Sequence, residues 1–432
     1  MRRNPLSQLT VTPRPVRHGV VLALLVSLVF SAAAMAAAGD PDPTFSGDGK
    51  QTTNFCQCGF STAEAAVRQA DGKIVAVGQF IGVYGDFLVA RYNLDGTLDP
   101  SFSGDGSVQT DFNGADGATD VALQGNKIVV VGFSADSTGG FALARYNPDG
   151  SLDPTFSGDG KQTTVFGAFA EGGAVGVAVQ GGKIVVVGTT DPSSGAGDFA
   201  LARYNLNGSL DTSFSGDGKK TTDFAGAGDD RAGGVALQGD GKIVAVGGGG
   251  GDFELARYNT DGSLDTSFSG DGLQTTDFGG AYDSASAVAL QGDGKIVAVG
   301  GHDSGGNRDF ALVRYNLNGS LDTSFSGDGK QTTSFPYAAG EMATDVAIQA
   351  DGRIVAVGQV GGGAGPGDFG LARYNTNGSL DTSFSADGRK RTSFGGSDGF
   401  DGALGMALQG DGRIVAVGFG RDTFALARYL GG

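Results

Sequence analysis

Tryptophan is absent from the 432 residues, and cysteine occurs only at Cys56 and Cys58. Two cysteines exclude a disulfide-stapled mini-domain. A bridge between them would be strained, since residues two apart on a strand point the same way but rarely meet disulfide geometry. A local bridge, free thiols and half of a metal site stay open. The metal reading is the weakest, because zinc takes about four ligands and His302 is the single histidine beyond the N-terminal segment. The lack of tryptophan also weighs against a sugar-stacking surface.

Positive charge is scarce. Lysine and arginine number 30 against 47 acids, for a net charge of −17. A surface of that sign repels nucleic acid and anionic lipid and tolerates cations or basic partners. Long apolar runs are missing too, except near the start. Residues 1–38 carry Arg2, Arg3, Arg14 and Arg17, then an apolar run from Val20 to Phe30, then small residues through Ala38. The run is too short for a bilayer span, which needs about 20 residues, and the pattern is that of a secretory signal peptide cleaved near Gly39. Its removal takes away four arginines and no acid, moving the net charge from −17 to −21. The expectation is a secreted protein, extracellular or periplasmic, without membrane insertion and monomeric.

What the chain does have is repetition. Phe-Ser-Gly-Asp-Gly begins at Phe45, Phe102, Phe156, Phe214, Phe268 and Phe325, with Phe-Ser-Ala-Asp-Gly at Phe384. Arg-Tyr recurs at Arg91, Arg145, Arg203, Arg257, Arg314, Arg373 and Arg428, at intervals of 54 to 59 residues. Each unit reads as four short strands, in one copy Val235 to Gln238, Lys242 to Gly247, Phe253 to Asn259 and Thr221 to Phe224, rich in β-branched and aromatic residues and bounded by Gly, Asp and Asn. Asp240-Gly241 joins the first two, a strong hairpin signal because both residues accept positive φ. Helical periodicity is lacking outside the leader. Four antiparallel strands in about 55 residues describe a propeller blade, so residues 39–432 are expected to form an all-β, seven-bladed β-propeller. Its ring is expected to close by pairing Lys50 to Phe55 with Phe424 to Tyr429. An open solenoid would need atypical capping units, and none is visible.

The three linked motifs, Leu-Asp-x-Ser-Phe-Ser-Gly-Asp-Gly, Asp-Gly-Lys-Ile-Val-Ala-Val-Gly and Asp-Phe-Ala-Leu-Ala-Arg-Tyr-Asn, resemble the delta-60 repeat family of exported bacterial proteins. The resemblance implies a β-propeller of unknown function and brings no catalytic residues. Arg68 in the first inner strand and Ala386 in the seventh unit depart from the pattern.

Residues common to all units read as scaffold. The recurring arginines are expected to be partly buried and to pair with the aspartates of Leu-Asp-x-Ser-Phe: Asp42, Asp99, Asp153, Asp211, Asp265, Asp322 and Asp381. A guanidinium fork suits a carboxylate because it bonds both oxygens. The run Tyr258 to Asp265 spaces oxygens as a calcium loop begins, but the completing glutamate is absent, so a turn is favoured and no cofactor is assigned, calcium staying the one alternative.

Alternating strand direction places the repeated Asp-Gly turns on one face of the ring and the variable loops on the other: Gln79 to Gly85, Phe133 to Gly140, Gly301 to Arg308, Cys56 to Glu64, Ala225 to Gly234 and Pro336 to Thr344. Loops on a rigid scaffold are where binding is usually placed. Tyr84, Phe133, Phe169, Tyr282, His302, Tyr337, Phe400 and Phe419 are the candidate ligand-contacting residues, among acids that include Glu64, Glu171, Asp229, Asp230, Asp283, Glu341 and Asp401. The expected function is a non-catalytic binding or adhesion module holding a glycan, peptide or surface polymer. The alternative is an exported hydrolase or lyase with carboxylates at the channel mouth. The many glycines sit in hairpin turns and not between a strand and a helix, so nothing reads as a phosphate-cradling loop.

Overall fold

The computed structural model describes residues 37–55, 59–81, 85–135, 139–166, 172–190, 197–224, 228–280, 282–336, 340–361, 367–395 and 400–432. Residues 1–36, most of the expected signal peptide 1–38, both cysteines, and Tyr84, Phe169, Glu171 and Tyr337 lie outside the described residues. Every strand among the described residues falls in one of seven four-stranded antiparallel sheets, giving a seven-bladed β-propeller. The blades are numbered here by their innermost strands: Phe60–Arg68, Asp116–Gln124, Ala174–Gln180, Arg231–Leu237, Asp283–Leu290, Met342–Ile348 and Asp401–Leu408. The outer strand of blade seven comes from the other end of the chain. Lys50 pairs with Ala427 and Thr53 with Phe424, which joins the two chain ends in one blade and closes the ring.

The inner strands begin several residues before the β-branched runs that mark them in the sequence. Val235 to Leu237 is the tail of Arg231–Leu237, and the last residues of Ala225 to Gly234 (from Arg231), Pro336 to Thr344 (from Met342) and Cys56 to Glu64 (from Phe60) are strand and not loop. The cause is a β-bulge in every inner strand, which breaks the alternation a sequence pattern depends on. The bulges fall between Ala63 and Ala65, Ala118 and Asp120, Ala174 and Gly176, Ala232 and Gly234, Ala285 and Ala287, Ala343 and Asp345, and Ala403 and Gly405. They also explain the glycine that ends each Val-Ala-Val-Gly run. A Cβ on Gly300 would lie 1.9 Å from the Ser284 carbonyl oxygen, and one on Gly78 1.8 Å from that of Thr62. Only a residue without a side chain lets the bulged backbone approach so closely.

Blades pack face to face through apolar layers. Phe253 and Leu255 of blade four meet Ala285, Ile296 and Val313 of blade five, while Ala256 and Tyr258 meet Val185 and Leu201 of blade three. Polar bonds repeat at the same seams. Tyr258 Oη donates to Thr222 Oγ1 on the preceding blade at 2.9 Å, and Tyr146 and Tyr374 do the same to Thr110 and Thr333.

The arginines sit at the other end of these seams. Nε lies 2.6 to 2.9 Å from Oδ2 in the pairs Arg91–Asp99, Arg145–Asp153, Arg203–Asp211, Arg257–Asp265, Arg314–Asp322, Arg373–Asp381 and Arg428–Asp42. The fork does not grip both carboxylate oxygens, unlike the geometry expected from the sequence. Oδ1 is taken by the serine or threonine two residues on, such as Ser267 Oγ at 2.7 Å, and Nη2 of Arg257 turns to that same hydroxyl. Nη1 is thereby freed to donate across the seam, from Arg257 to the Leu317 carbonyl and from Arg203 to that of Thr260. Each guanidinium also lies over the phenylalanine of Phe-Ser-Gly-Asp-Gly, 4.6 Å from the ring centre for Arg257 over Phe268. The serine after that phenylalanine takes φ between +50° and +56° in every copy, which aims its N–H at a turn carbonyl of the next blade, as Ser269 does to Asn318 at 2.8 Å.

Candidate binding surface

The repeated turns occupy one face of the ring and the variable connections the other. On the turn face, oxygens that might have served a cation are spent within the turn. Asp261 Oδ1 accepts from the N–H and hydroxyl of Ser263, and Asn259 Nδ2 donates to Ser263 and Leu264. Clefts of about 600, 820 and 520 Å³ open on this face between blades three and four, five and six, and seven and one. Their walls are the same at each seam: the Asp-Gly turn, the buried arginine and the serine or threonine beside it. They follow from blades splaying outward on a shared scaffold.

The variable face is built differently at each seam. In five blades an acid at or just before the start of the inner strand accepts the N–H of the phenylalanine ending the preceding blade: Asp116 from Phe112 at 2.6 Å, Asp230 from Phe224 at 2.7 Å, Asp283 from Phe278 at 2.9 Å, Glu341 from Phe335 at 3.0 Å and Asp401 from Phe394 at 2.7 Å. These acids are buried, three as the first residue of the inner strand (Asp116, Asp283, Asp401) and two just before it (Asp230, Glu341), and are not the exposed loop groups the sequence suggests. At three seams the buried acid meets two others, with oxygens of each triad within 4.8 Å of one another: Asp86, Asp111 and Asp116; Asp198, Asp223 and Asp230; Asp252, Asp277 and Asp283. Burial and the neighbouring carboxylates raise Asp86, Asp198 and Asp252 above the usual range. Elsewhere the pattern is neutralised. Arg391 holds Asp368 with two nitrogens, at 3.0 and 2.6 Å, beside Asp401. Glu341 is pushed up to about 7 by burial, with Asp309 adding to the rise against the Phe335 N–H.

Glu254 is absent from the sequence-based candidates. It lies on the third strand of blade four, 4 % exposed, on the side facing blade three. Burial first, then the Asp230 carboxylate, push it up to about 9. The signal was available: at the same place in the repeat the other six blades carry Leu88, Ala142, Ala200, Ala311, Gly370 and Ala425.

The candidate aromatics do not gather into one patch. Tyr282 and Phe400 are exposed, at 66 % and 62 %. Phe133 lines a cavity of about 460 Å³ between blades two and three, together with Ser134, Thr189, Thr190 and Arg231. Phe419 packs on Phe60, with ring centres 5.8 Å apart. His302 lies one residue from the end of the strand Ile296–Asp303 and does not sit in a glycine-rich loop. It is buried, its Nδ1 lies 2.7 Å from Asp283 Oδ1, and its ring lies 5.8 Å from that of Phe278.

At the axis the bulged residues Glu64, Thr119, Val175, Gly233, Ser286, Thr344 and Leu404 surround a cavity of about 130 Å³. Asp120 and Asp345 stand beside them, each accepting two backbone N–H groups, one from the next blade: Val177 at 2.7 Å and Met406 at 2.8 Å. Thr119 and Thr344 donate to carbonyls of those same blades, Ala174 and Ala403. Burial raises Asp120 to about 7 and Asp345 to about 6 despite those N–H groups.

The fold recurs in solved structures. Virginiamycin B lyase from Staphylococcus aureus superposes with a TM-score of 0.53 at 9 % identity, covering 88 % of this chain and 98 % of that one. A streptogramin B lyase gives 0.52 at 9 %, covering 88 % and 97 %. A polysaccharide lyase acting on ulvan gives 0.50 at 12 %, covering 88 % and 96 %. Identities this low show shared architecture alone. No curated protein matches the chain by sequence. Residues 69–102, 126–156, 182–214, 238–268, 291–325 and 349–384 match the family model described as a domain of unknown function (DUF5122) β-propeller, so in six of its repeats the chain is similar to that propeller family.

Proposed function

We propose that this chain is an exported, non-catalytic binding module whose variable face holds a peptide, glycan or surface polymer, with cationic groups on the partner favoured. One observation carries the reading. The polar groups shared by all seven blades are consumed in bonds between blades on the turn face, whereas the opposite face presents a different polar set at each seam, three of them carboxylate triads. A scaffold that keeps one face constant and varies the other is how recognition surfaces are commonly built. Excess negative charge there favours basic partners and disfavours nucleic acid. Export rests on the charged, apolar and small-residue segments of residues 1–38, and the resemblance to delta-60 repeat proteins is consistent with it.

The runner-up is an exported hydrolase or lyase acting at the channel mouth. Its support is that Asp120 and Asp345, near 7 and 6, are poised as acids around neutral pH. Against it, each is held by two backbone N–H groups, and the 130 Å³ cavity is far below the roughly 300 Å³ of small ligand sites. A glycan and peptide array run beside a panel of chromogenic substrates separates the two. Array binding without turnover is expected. Turnover above background that is lost in Asp120→Asn would overturn the binding reading in favour of the enzyme.

A further inference from the structure

We propose that the seam between blades three and four is a cation site, in which Asp198, Asp223, Asp230 and Glu254 hold a hard divalent ion of the calcium type. This goes beyond the binding reading and does not depend on what the face recognises.

The three aspartates bring carboxylate oxygens within 4.8 Å of one another, but an acidic triad alone is ordinary on an acidic protein. Glu254 is the second and separate observation. It is 4 % exposed, and its Oε2 has no hydrogen-bond partner among the described residues. The side chain also meets the Asp230 carboxylate, and two acids brought together in a buried place are costly unless a counter-charge meets them. The neighbouring arginine does not supply one, since Arg231 is 63 % exposed in its side chain and pairs with Asp229 at 3.0 Å. Six blades fill this position with leucine, alanine or glycine, so the scaffold has no need of an acid here.

A gap in the backbone supports the same reading. A Cβ on Gly249 would lie 2.3 Å from Asp230 Oδ1 and 2.6 and 2.8 Å from the two oxygens of Glu254. The φ of Gly249 lies outside the left-handed region, so the backbone does not demand glycine. Of the six corresponding residues, Phe80, Ser134, Thr190, His302 and Val360 carry side chains and Gly420 of blade seven is also glycine, there with Phe394 filling the space. The glycine keeps open the space between the two carboxylates. A donor set made only of carboxylate oxygens selects hard cations over zinc or copper, and calcium accepts the irregular geometry and the added waters such a site would need.

The other two triads serve as controls within the molecule. Next to Asp86, Asp111 and Asp116 the following blade places Ala142 where Glu254 stands, and next to Asp252, Asp277 and Asp283 it places Ala311. They lack the buried fourth carboxylate and are expected to bind more weakly.

The test is calorimetric titration of the chelator-stripped full chain with calcium chloride, alongside thermal melts at rising calcium. The wild type is expected to show a single tightest site and a melting temperature that climbs with calcium by mass action. Glu254→Ala restores the residue of blades two, three, five and seven and so should fold. It and Glu254→Gln are expected to weaken the tightest site at least tenfold, and Gly249→Ala to weaken it by occupying the gap. Asp86→Asn should leave the site unchanged. Calcium affinity unaltered in Glu254→Ala, a tightest site lost in Asp86→Asn instead, or melts indifferent to millimolar calcium would each overturn the proposal.

Discussion

Arg428 Nε lies 2.8 Å from Asp42 Oδ2, a bond that joins residues 386 apart in the chain and completes a ring of seven such pairs. It closes the circle, since Nη1 of Arg428 also reaches the Leu94 carbonyl in blade one. Asp42 is 1 % exposed and also meets Arg413, so the carboxylate is never far from positive charge.

Breaking one of these pairs should be expensive. Arg257→Leu leaves Asp265 with Lys242 alone as its cationic partner, and an under-compensated buried carboxylate typically costs about 3 to 5 kcal/mol. Arg428→Leu should cost at least as much, because it also loosens the closure of the ring. Urea unfolding of both variants checks this, and a midpoint equal to wild type would refute the role given to the pairs.

Stability should fall between mildly acidic and alkaline pH. Burial raises Asp120, Glu341 and Asp345 to about 7, 7 and 6, so each binds its proton more tightly in the fold than in the unfolded chain. Their contribution is complete below about pH 4 and is lost as pH rises through 6 to 7. The arginine-paired aspartates work oppositely. Burial alone would raise Asp99, Asp211, Asp265 and Asp322, but hydrogen bonds from lysine and serine and the nearby arginine hold them well below the usual range. Their stabilisation is complete above about pH 4 and fades in stronger acid. Unfolding free energy is therefore expected to peak near pH 4 to 5 and drop by roughly 3 kcal/mol or more by pH 8. Asp120→Asn should flatten the alkaline limb. A profile level from pH 5 to 8 would contradict this.

Two glycine exchanges should act in opposite directions. Ala386 sits at φ +69°, where its six counterparts are glycine, so Ala386→Gly should stabilise by about 1 kcal/mol. Gly300→Ala meets the Ser284 carbonyl at 1.9 Å and should destabilise by about 3 kcal/mol or more. Paired thermal melts of the two variants decide it.

If the proposed export and removal of the N-terminal segment hold, the processed chain is expected to begin before Ala38, slightly upstream of the cut near Gly39 that the sequence pattern suggests. The Ala38 carbonyl accepts the Ser385 N–H at 2.8 Å, the seventh of the seam bonds made by the positive-φ serines. Cleavage after Ala36 preserves that bond, whereas cleavage after Ala38 removes it. Mass spectrometry of the exported chain distinguishes the two, and a chain starting at Gly39 would contradict the expectation.

The blade count, the four-strand unit and the closing pair Lys50 to Thr53 with Phe424 to Ala427 are all legible in the sequence, because repetition converts weak strand signals into a strong one. The inner strands are not fully legible. The bulge at Ser286 shifts the period by one residue, so the first residues of Asp283–Leu290 read as loop. That displacement hides the acids: Asp230, Asp283 and Asp401 look like exposed loop residues and are buried caps, at or just before the inner strand's start, for the preceding blade. His302 misleads for a related reason, since flanking glycines suggest a loop where a strand runs. Glu254 is hidden differently, inside a run whose apolar neighbours declare it core, and only its departure from six counterparts marks it.

The division of labour between the two faces is the claim most open to direct measurement. Hydrogen exchange of the chain, with and without the strongest array ligand, should show added protection in Gln79 to Asp86, Phe133 to Gly140 and Gly301 to Arg308 on the variable face. Protection confined to the turns at Gly239 to Lys242 and Asn259 to Ser263 would place recognition on the repeated face and contradict the account.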